Sequence, residues 1–264
     1  MNADPARPLA RRRWLAAVAA AAAGGWSTQA TAASLPELVA AAKPSVLPVG
    51  TFNATDSPRF GFRGTGFVVG DGTLVATNFH VLPPGADTDN GPRMAVLPTR
   101  SGGEGAVRLA RVVATDRFRD LALLKLDGAA LPALPLAEAG AAREGQDIAL
   151  MGYPIGGVLG FAVVTHRGIV ASITTAALPA PTASQLDPRA VSRLRQGNFE
   201  LLQLDATAYP GNSGGPVFDV TTARVLGVVS MGLVKGSRES ALSSPTGITY
   251  AVPVAYLREL MDQR

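Results

Sequence analysis

The stretch ATAYPGNSGGPVF, residues 206–218, surrounds one serine, Ser213, with glycine and proline. These two residue types occur where the backbone takes an unusual path or is approached closely. A turn of this kind can expose Ser213 as a nucleophile and line up backbone amides beside it. The same composition suits an ordinary surface loop, so the stretch alone leaves both interpretations open.

The order of the other reactive residues narrows the choice. A nucleophilic serine needs an imidazole to accept its proton and usually a carboxylate to orient that ring. The chain has two histidines, His80 and His166, and neither follows Ser213. This order excludes an α/β-hydrolase, in which the histidine comes after the serine. The order His80, acid, Ser213 remains, and His80 lies where the apolar run LVATNFHVL reaches a turn.

Two aspartates compete for the role of the acid. Asp120 opens the apolar run LALLKL, whereas Asp116 lies in ATDRFRD, which we expect to be a loop. A charged residue at the start of a buried strand is either a solvated strand end or a functional carboxylate. Asp120 is favoured over Asp116 because it opens a strand rather than lying in a loop, and the workable order of histidine, acid and serine favours the functional interpretation of all three. His166 has no partner motif, and we expect it to be structural or exposed.

The first 32 residues have the pattern of an export signal. Arginines at 11–13 precede an alanine-rich apolar run to about Ala23, and the small residues 30–32 offer a cleavage site after residue 32. This pattern is typical of a signal peptide, and the run is shorter than the ~20 residues that cross a bilayer. The paired arginines leave the Sec and the twin-arginine routes open. We expect a bacterial protein that is exported to the periplasm or secreted, without a stable membrane span.

Charge and cysteine content exclude several classes of function. Of the net charge of +4, three units lie in residues 1–32, which hold four arginines and one aspartate. The rest of the chain therefore has no basic field that would indicate nucleic-acid binding. Cysteine is absent and histidine is rare, so we expect no metal site and no cofactor. Packing rather than disulfides must hold the fold together.

After the leader, the sequence predicts mainly short strands that are separated by turns. This pattern favours an all-β barrel or sandwich, because no regular βαβ alternation is visible. The proline-rich residues 131–136 suggest two halves, at about 45–130 and 137–252, within a single domain of residues 33–264. Helices are predicted at 187–197 and at about 253–263, besides a short helical stretch near residue 36.

Three blocks of the chain resemble the catalytic blocks of trypsin-like serine proteases. They are GTGFVVGDGTLVATNFHVL, DLALLKL and QLDATAYPGNSGGPVF. The resemblance is closest to the bacterial HtrA/Deg branch, which typically has a T-N-x-H-V histidine block and a G-N-S-G-G-P serine block. MGYPIGG, GIVASI and GITYAVP also match that branch, so the resemblance extends from about Pro36 to Leu260.

The resemblance implies the chymotrypsin-like fold, two packed six-stranded antiparallel β-barrels with the site in the cleft between them. It implies a serine endopeptidase in which His80 is the base, Asp120 orients it and Ser213 attacks a peptide carbonyl. The amides of Gly211 and Ser213 would form the oxyanion hole. Polypeptides, including unfolded proteins, would be the substrates, and a homotrimer is an assembly known in this branch.

The resemblance also places the pocket that selects the residue before the cut. The positions are Thr207 at its base, Ala208 beside it, and Ser230, Met231 and Gly232 as a wall. None of them is acidic, so a preference for lysine or arginine lacks a counter-charge, and an uncharged pocket selects by size and shape. We expect cleavage after small or medium aliphatic residues.

The chain departs from the HtrA/Deg pattern in several places. We expect no C-terminal PDZ domain, because the chain ends after the last predicted helix. Tyr209 stands where the branch commonly has asparagine, and it could change contacts on the leaving side or simply pack. The long segment 176–198 carries arginines at 189, 193 and 195, which suit either a gating loop or a solvated basic face.

Two rival functions remain open at this point. The chain could be a protease that stays inactive until a partner or an oligomer arranges the Gly211 loop. It could also be a catalytically silent relative that binds peptides in the same cleft. The intact His80, Asp120 and Ser213 set favours an enzyme over the silent relative.

Overall fold

Two closed six-stranded antiparallel barrels make up most of the computed structural model. It describes residues 34–86, 88, 91–100, 103–104, 106–154, 160–176, 198–231 and 247–264. The first barrel has the strand order β1-β2-β3-β8-β7-β4, and the second has the order β10-β11-β14-β13-β12-β9. This architecture confirms the chymotrypsin-like fold class that the sequence predicts.

The strands follow one another along the chain with a helix at each end. The strands before the proline-rich step are β1 (Val46–Phe52), β2 (Phe60–Val69), β3 (Leu74–Thr77), β4 (Met94–Val96), β5 (Thr99–Arg100), β6 (Gly103–Glu104), β7 (Arg108–Asp116) and β8 (Leu121–Leu126). Those after it are β9 (Asp147–Gly152), β10 (Val164–Thr175), β11 (Glu200–Asp205), β12 (Pro216–Asp219), β13 (Val225–Val229) and β14 (Ile248–Pro253). Among the described residues, the helices are α1 (Leu35–Ala42) and α2 (Val254–Asp262), and short 3₁₀ turns lie at Lys43–Ser45 and Phe79–Val81.

Strand β8 is buried on both faces, which explains its nearly continuous apolar sequence. Leu121 and Leu123 belong to a cluster that includes side chains of both barrels and both helices. The side chains of Ala122 and Leu124 point to the opposite face of the sheet and lie in the interior of the first barrel. Packing on both faces thus holds the strand in place. It also restricts the position of Asp120, which directly precedes the strand.

The terminal helices cover the barrels. Helix α2 buries Val254, Leu257 and Leu260 on one face, while Met261 is partly buried. Helix α1 begins with a capping box between Ser34 and Glu37. The predicted helix at 187–197 lies outside the described residues.

Candidate active site

His80 lies in the 3₁₀ turn that follows strand β3. Thr77 ends the strand, and the buried Asn78 then donates its side-chain amide to the carbonyl oxygen of Asp120 at 2.9 Å. The Phe79 amide donates to the same oxygen at 3.2 Å. The histidine side chain itself is 31% exposed, so it is accessible from the surface while its backbone is held.

Asp120 binds the His80 ring directly. Its Oδ2 lies 2.7 Å from Nδ1 of His80, and its Oδ1 accepts the His80 backbone amide at 2.9 Å. Because a carboxylate only accepts hydrogen bonds, Nδ1 carries the proton and Nε2 of the neutral ring is left to accept one. The pair therefore has the tautomer that a general base needs.

The backbone of Asp120 has an unusual conformation. Its φ is +59°, in the left-handed region that residues other than glycine rarely adopt. This conformation lets the carbonyl oxygen bind Asn78 and Phe79 while the carboxylate binds His80. Hydrogen bonds to its backbone carbonyl and to its carboxylate thus hold this strained residue in place.

Ser230 completes the environment of Asp120 from the second barrel. It is fully buried, and its hydroxyl donates to Oδ2 of Asp120 at 2.6 Å. The sequence predicted Ser230 only as part of a pocket wall and missed this contact. A polar residue directly after the apolar strand β13 was the one signal that could have suggested it.

The competing aspartate has a structural role. Asp116 is the last residue of strand β7, not part of a loop, and its Oδ1 accepts the amides of Phe118 and Arg119 at 3.0 and 2.9 Å. It thus caps the turn that leads to Asp120. His80 has no contact with Asp116 among the hydrogen bonds of the described residues.

Ser213 lies in a tight turn of the second barrel and is 6% exposed. A methyl group in place of the Gly211 hydrogen would lie 2.2 Å from the carbonyl oxygen of Tyr153. At Gly214 it would lie 2.4 Å from Oγ1 of Thr77 and 2.1 Å from the carbonyl oxygen of Thr65. Both glycines also have positive φ values, +105° and +86°, so the turn requires glycine twice over.

The same contacts place the serine turn against the segment that carries His80. The amide of Thr65 in strand β2 donates to the carbonyl oxygen of Ser213 at 2.8 Å. Gly214 packs against Thr77 and Asn78, two residues that shortly precede His80. Within the described chain no hydrogen bond joins the Ser213 side chain to the His80 ring, and contacts of this type often tighten only when substrate binds.

The amides of Gly211 and Ser213 are available as donors. Their neighbours in the turn are paired: the Asn212 amide donates to the Tyr209 carbonyl and the Gly214 amide to the Val229 carbonyl, each at 2.9 Å. By contrast, the amides of Gly211 and Ser213 donate to no group in the described part of the chain. Adjacent unpaired backbone donors of this kind can bind a negatively charged oxygen.

The predicted pocket residues have mixed surroundings. Ala208 is buried, and Thr207 and Met231 are partly buried, while the Ser230 hydroxyl points to Asp120. Gly232 lies outside the described residues. None of the described pocket residues is acidic.

Tyr209 and His166 lie beside each other, with ring centroids 5.8 Å apart. His166 is partly buried, and its Nε2 has no hydrogen-bond partner among the described residues. Burial lowers the pKa of the His166 imidazole below its ordinary value. The histidine thus packs against Tyr209, and no hydrogen bond of the described residues joins it to Asp120.

No cluster of three His, Asp or Glu side chains that could hold a metal ion exists in the part of the chain that the structure describes. Likewise, no helix there is long and apolar enough to cross a membrane. The charged group that binds the His80 imidazole is the carboxylate of Asp120.

Serine proteases are among the known proteins that are similar to this chain. A periplasmic DegP-like serine endoprotease of Pseudomonas fluorescens is 27% identical over 76% of the chain, and the mitochondrial serine protease HTRA2 of Bos taurus is 32% identical over 76%. The chain spans 34% and 36% of the lengths of these two relatives. The structure of the HtrA-type protease AlgW with a decapeptide has a similar fold, with a TM-score of 0.60, 22% identity, 87% of this chain covered and 66% of that chain.

A protein-family model also matches the chain. The Trypsin-like peptidase domain matches residues 64–228, which include His80, Asp120 and Ser213. That region covers more than half of the chain, and of the site described above only residues 229–232 lie outside it. The chain belongs to the trypsin-like peptidase family.

Proposed function

We propose that this chain is an exported serine endopeptidase of the HtrA/Deg type. The observation that carries the proposal is the Asp120 carboxylate, which binds His80 at 2.7 Å and Ser230 at 2.6 Å. It thereby joins the general base on the first barrel to the second barrel, which supplies Ser213. The family match and the names of the relatives support the same activity.

The proposed reaction begins when the Ser213 hydroxyl attacks the carbonyl carbon of a peptide bond. Its proton passes to Nε2 of His80, while Nδ1–H remains bonded to Asp120, which stabilises the imidazolium that forms. The carbonyl oxygen becomes negative and accepts hydrogen bonds from the amides of Gly211 and Ser213. His80 then gives the proton to the leaving amine, and water hydrolyses the acyl-enzyme by the same steps in reverse order.

The substrates are proposed to be polypeptides with a small or medium aliphatic residue before the cut. Thr207, Ala208 and Met231 present no charge to that residue, so a hydrophobic side chain of moderate size is the best match. Unfolded regions would present such residues in extended form, and unfolded proteins are therefore the favoured substrate class.

Export is proposed from the leader pattern of residues 1–32, and a periplasmic location agrees with the name of the Pseudomonas fluorescens relative. Assembly into a homotrimer is proposed only from the HtrA/Deg resemblance. A protease could also require such assembly to arrange the Gly211 loop before it is active. It would use the same triad, so it is a variant of this proposal rather than a separate function.

The test is a series of peptides that differ only in the residue before the cut. We expect kcat/KM to be about tenfold or more higher for alanine or valine than for arginine, because burial of an arginine without a counter-charge is unfavourable. The Ser213→Ala variant is the control, and it should lose about four to six orders of magnitude in kcat. A preference for arginine would contradict the pocket assignment, and undiminished turnover by Ser213→Ala would exclude Ser213 as the nucleophile.

A further inference from the structure

The turn that carries Gly211 and Ser213 has little rigidity of its own. Three of the five residues from 211 to 215 are glycines, which have more backbone freedom than other residues. An oxyanion hole works only if its donors are already oriented before the negative charge develops. The turn therefore needs contacts from outside to hold the two donor amides in place.

Thr65 of strand β2 provides these contacts. Its backbone amide donates to the carbonyl oxygen of Ser213 at 2.8 Å. Its hydroxyl donates to the carbonyl oxygen of Gly211 at 2.6 Å and accepts the amide of Tyr153 at 3.0 Å. Thr65 itself is fully buried, so water has little access to its hydroxyl.

The hydroxyl of Thr65 cannot rotate to another partner without loss. It has one donor hydrogen, and the Tyr153 amide occupies an acceptor site on the same oxygen. The hydrogen is therefore directed at Gly211. The carbonyl oxygen of Tyr153 lies so close to Gly211 that a Cβ there would clash, so the turn is confined on that side as well.

These bonds act on the peptide planes next to the donor amides. The carbonyl of Gly211 belongs to the plane between residues 211 and 212, and that of Ser213 to the plane between 213 and 214. The donor N–H groups of Gly211 and Ser213 lie in the planes just before each of these. Fixing the two carbonyls on the Thr65 side restricts the rotation of both residues, and hence the direction of both N–H groups.

We propose that Thr65 is a positioning residue for the oxyanion hole, and that its hydroxyl holds the Gly211 turn in the donor conformation. The inference rests on the proposed function, since it concerns the donors used in that reaction. Thr65 touches neither the substrate nor the reacting atoms, and it acts only through the backbone of Gly211 and Ser213.

The test compares two isosteric variants that each remove one buried hydroxyl. Thr65→Val removes the bond to Gly211, and Thr249→Val removes the bond of the Thr249 hydroxyl in strand β14 to the Ala206 carbonyl, which is 2.6 Å long and also buried. We expect Thr65→Val to lower kcat by about ten- to hundredfold with little change in KM, because small misplacements of catalytic groups have effects of this size. Thr249→Val should lower the melting temperature by a similar amount while kcat changes far less. An equal loss of kcat in both variants would show a merely structural role and overturn the proposal.

Thr65→Ser separates the hydroxyl from the methyl group and covers the case in which Thr65→Val folds poorly. Serine keeps the donor and the acceptor, so it should restore most of the kcat that valine loses. A peptide aldehyde, whose adduct places a negative oxygen in the hole, should lose affinity for Thr65→Val in parallel with kcat/KM. Loss of kcat in Thr65→Ser as large as in Thr65→Val would contradict the assignment to the hydroxyl.

Backbone hydrogen exchange tests whether Thr65 holds the turn in place, and it does not require a measurement of activity. Peptides covering residues 209–218 should exchange faster in Thr65→Val than in Thr249→Val, because only the first variant removes a hydrogen bond to the turn. This readout separates the two proposals: an inactive wild-type protein would contradict the proposed function, whereas equal exchange in the two variants would contradict the role of Thr65.

Discussion

At the scale of single residues, Asp120 organises the site with both of its polar groups. Its carbonyl oxygen binds the segment before His80, and its carboxylate binds the His80 ring and the Ser230 hydroxyl. The types and order of His80, Asp120 and Ser213 could be predicted from sequence, because nucleophile chemistry requires those groups. The partners Ser230, Asn78 and Thr65 could not, because each contact joins residues that are far apart in the chain or depends on a left-handed backbone at Asp120.

His166 leads to a prediction about pH. Burial lowers its pKa, so the folded protein keeps the ring neutral, while the unfolded chain takes up a proton near its ordinary pKa of 6.5. Below that pH the unfolded state binds more protons, and stability falls until the pH passes the lowered pKa of the folded state. Both proteins should carry Ser213→Ala, which prevents self-cleavage. Between about pH 7 and pH 5, the melting temperature should therefore fall less in the His166→Gln protein than in the protein that keeps His166.

Both proteins contain His80, so any effect of His80 on the melting temperature cancels in the comparison. Melting curves of the two proteins that shift in parallel with pH would contradict a buried, neutral His166.

At the scale of elements, a nearly continuous apolar run predicts a buried strand, whereas proline and glycine can obscure one. LALLKL was predicted because its burial makes it nearly continuously apolar. Strand β1 was not, because Pro48 and Gly50 interrupt its pattern. The structure accommodates this irregularity with a register shift between Val49 and Gly50.

The contact of helix α2 with the first barrel leads to a prediction about stability. The guanidinium of Arg119 lies 4.1 Å from the Tyr256 ring centroid and 2.9 Å from Oε2 of Glu259. We expect Arg119→Ala to lower the free energy of unfolding by about 1–2 kcal/mol, because it removes a cation–π contact and the ion pairs with Glu259 and Asp116 together. Denaturant unfolding of both proteins in the Ser213→Ala background measures this difference.

Arg167→Ala is the matched control. Arg167 pairs with Asp147 at 3.3 Å, but both side chains are mostly exposed and no ring is involved, so the change should be within about 0.5 kcal/mol. Equal effects of the two substitutions would contradict a docking role for Arg119.

At the scale of the whole molecule, the site exists only where the two barrels meet. The first barrel supplies Thr65, His80 and Asp120, and the second supplies the Ser213 turn and Ser230. Tyr153 adds a further link, since its hydroxyl donates to the carbonyl of Val46 in strand β1 at 2.9 Å. The fold class could be predicted from the motifs, but the contacts that set the position of one barrel against the other could not, because they join residues that no local pattern relates.

Labelling with a fluorophosphonate tests the central claim most directly, because this reagent forms a stable adduct only with an activated serine. We expect a single adduct on the purified, folded protein, located by mass spectrometry on the peptide that contains Ser213. The Ser213→Ala variant and the denatured protein should carry none. An adduct on another residue, or no adduct on folded protein while an active protease in the same tube is labelled, would contradict the account.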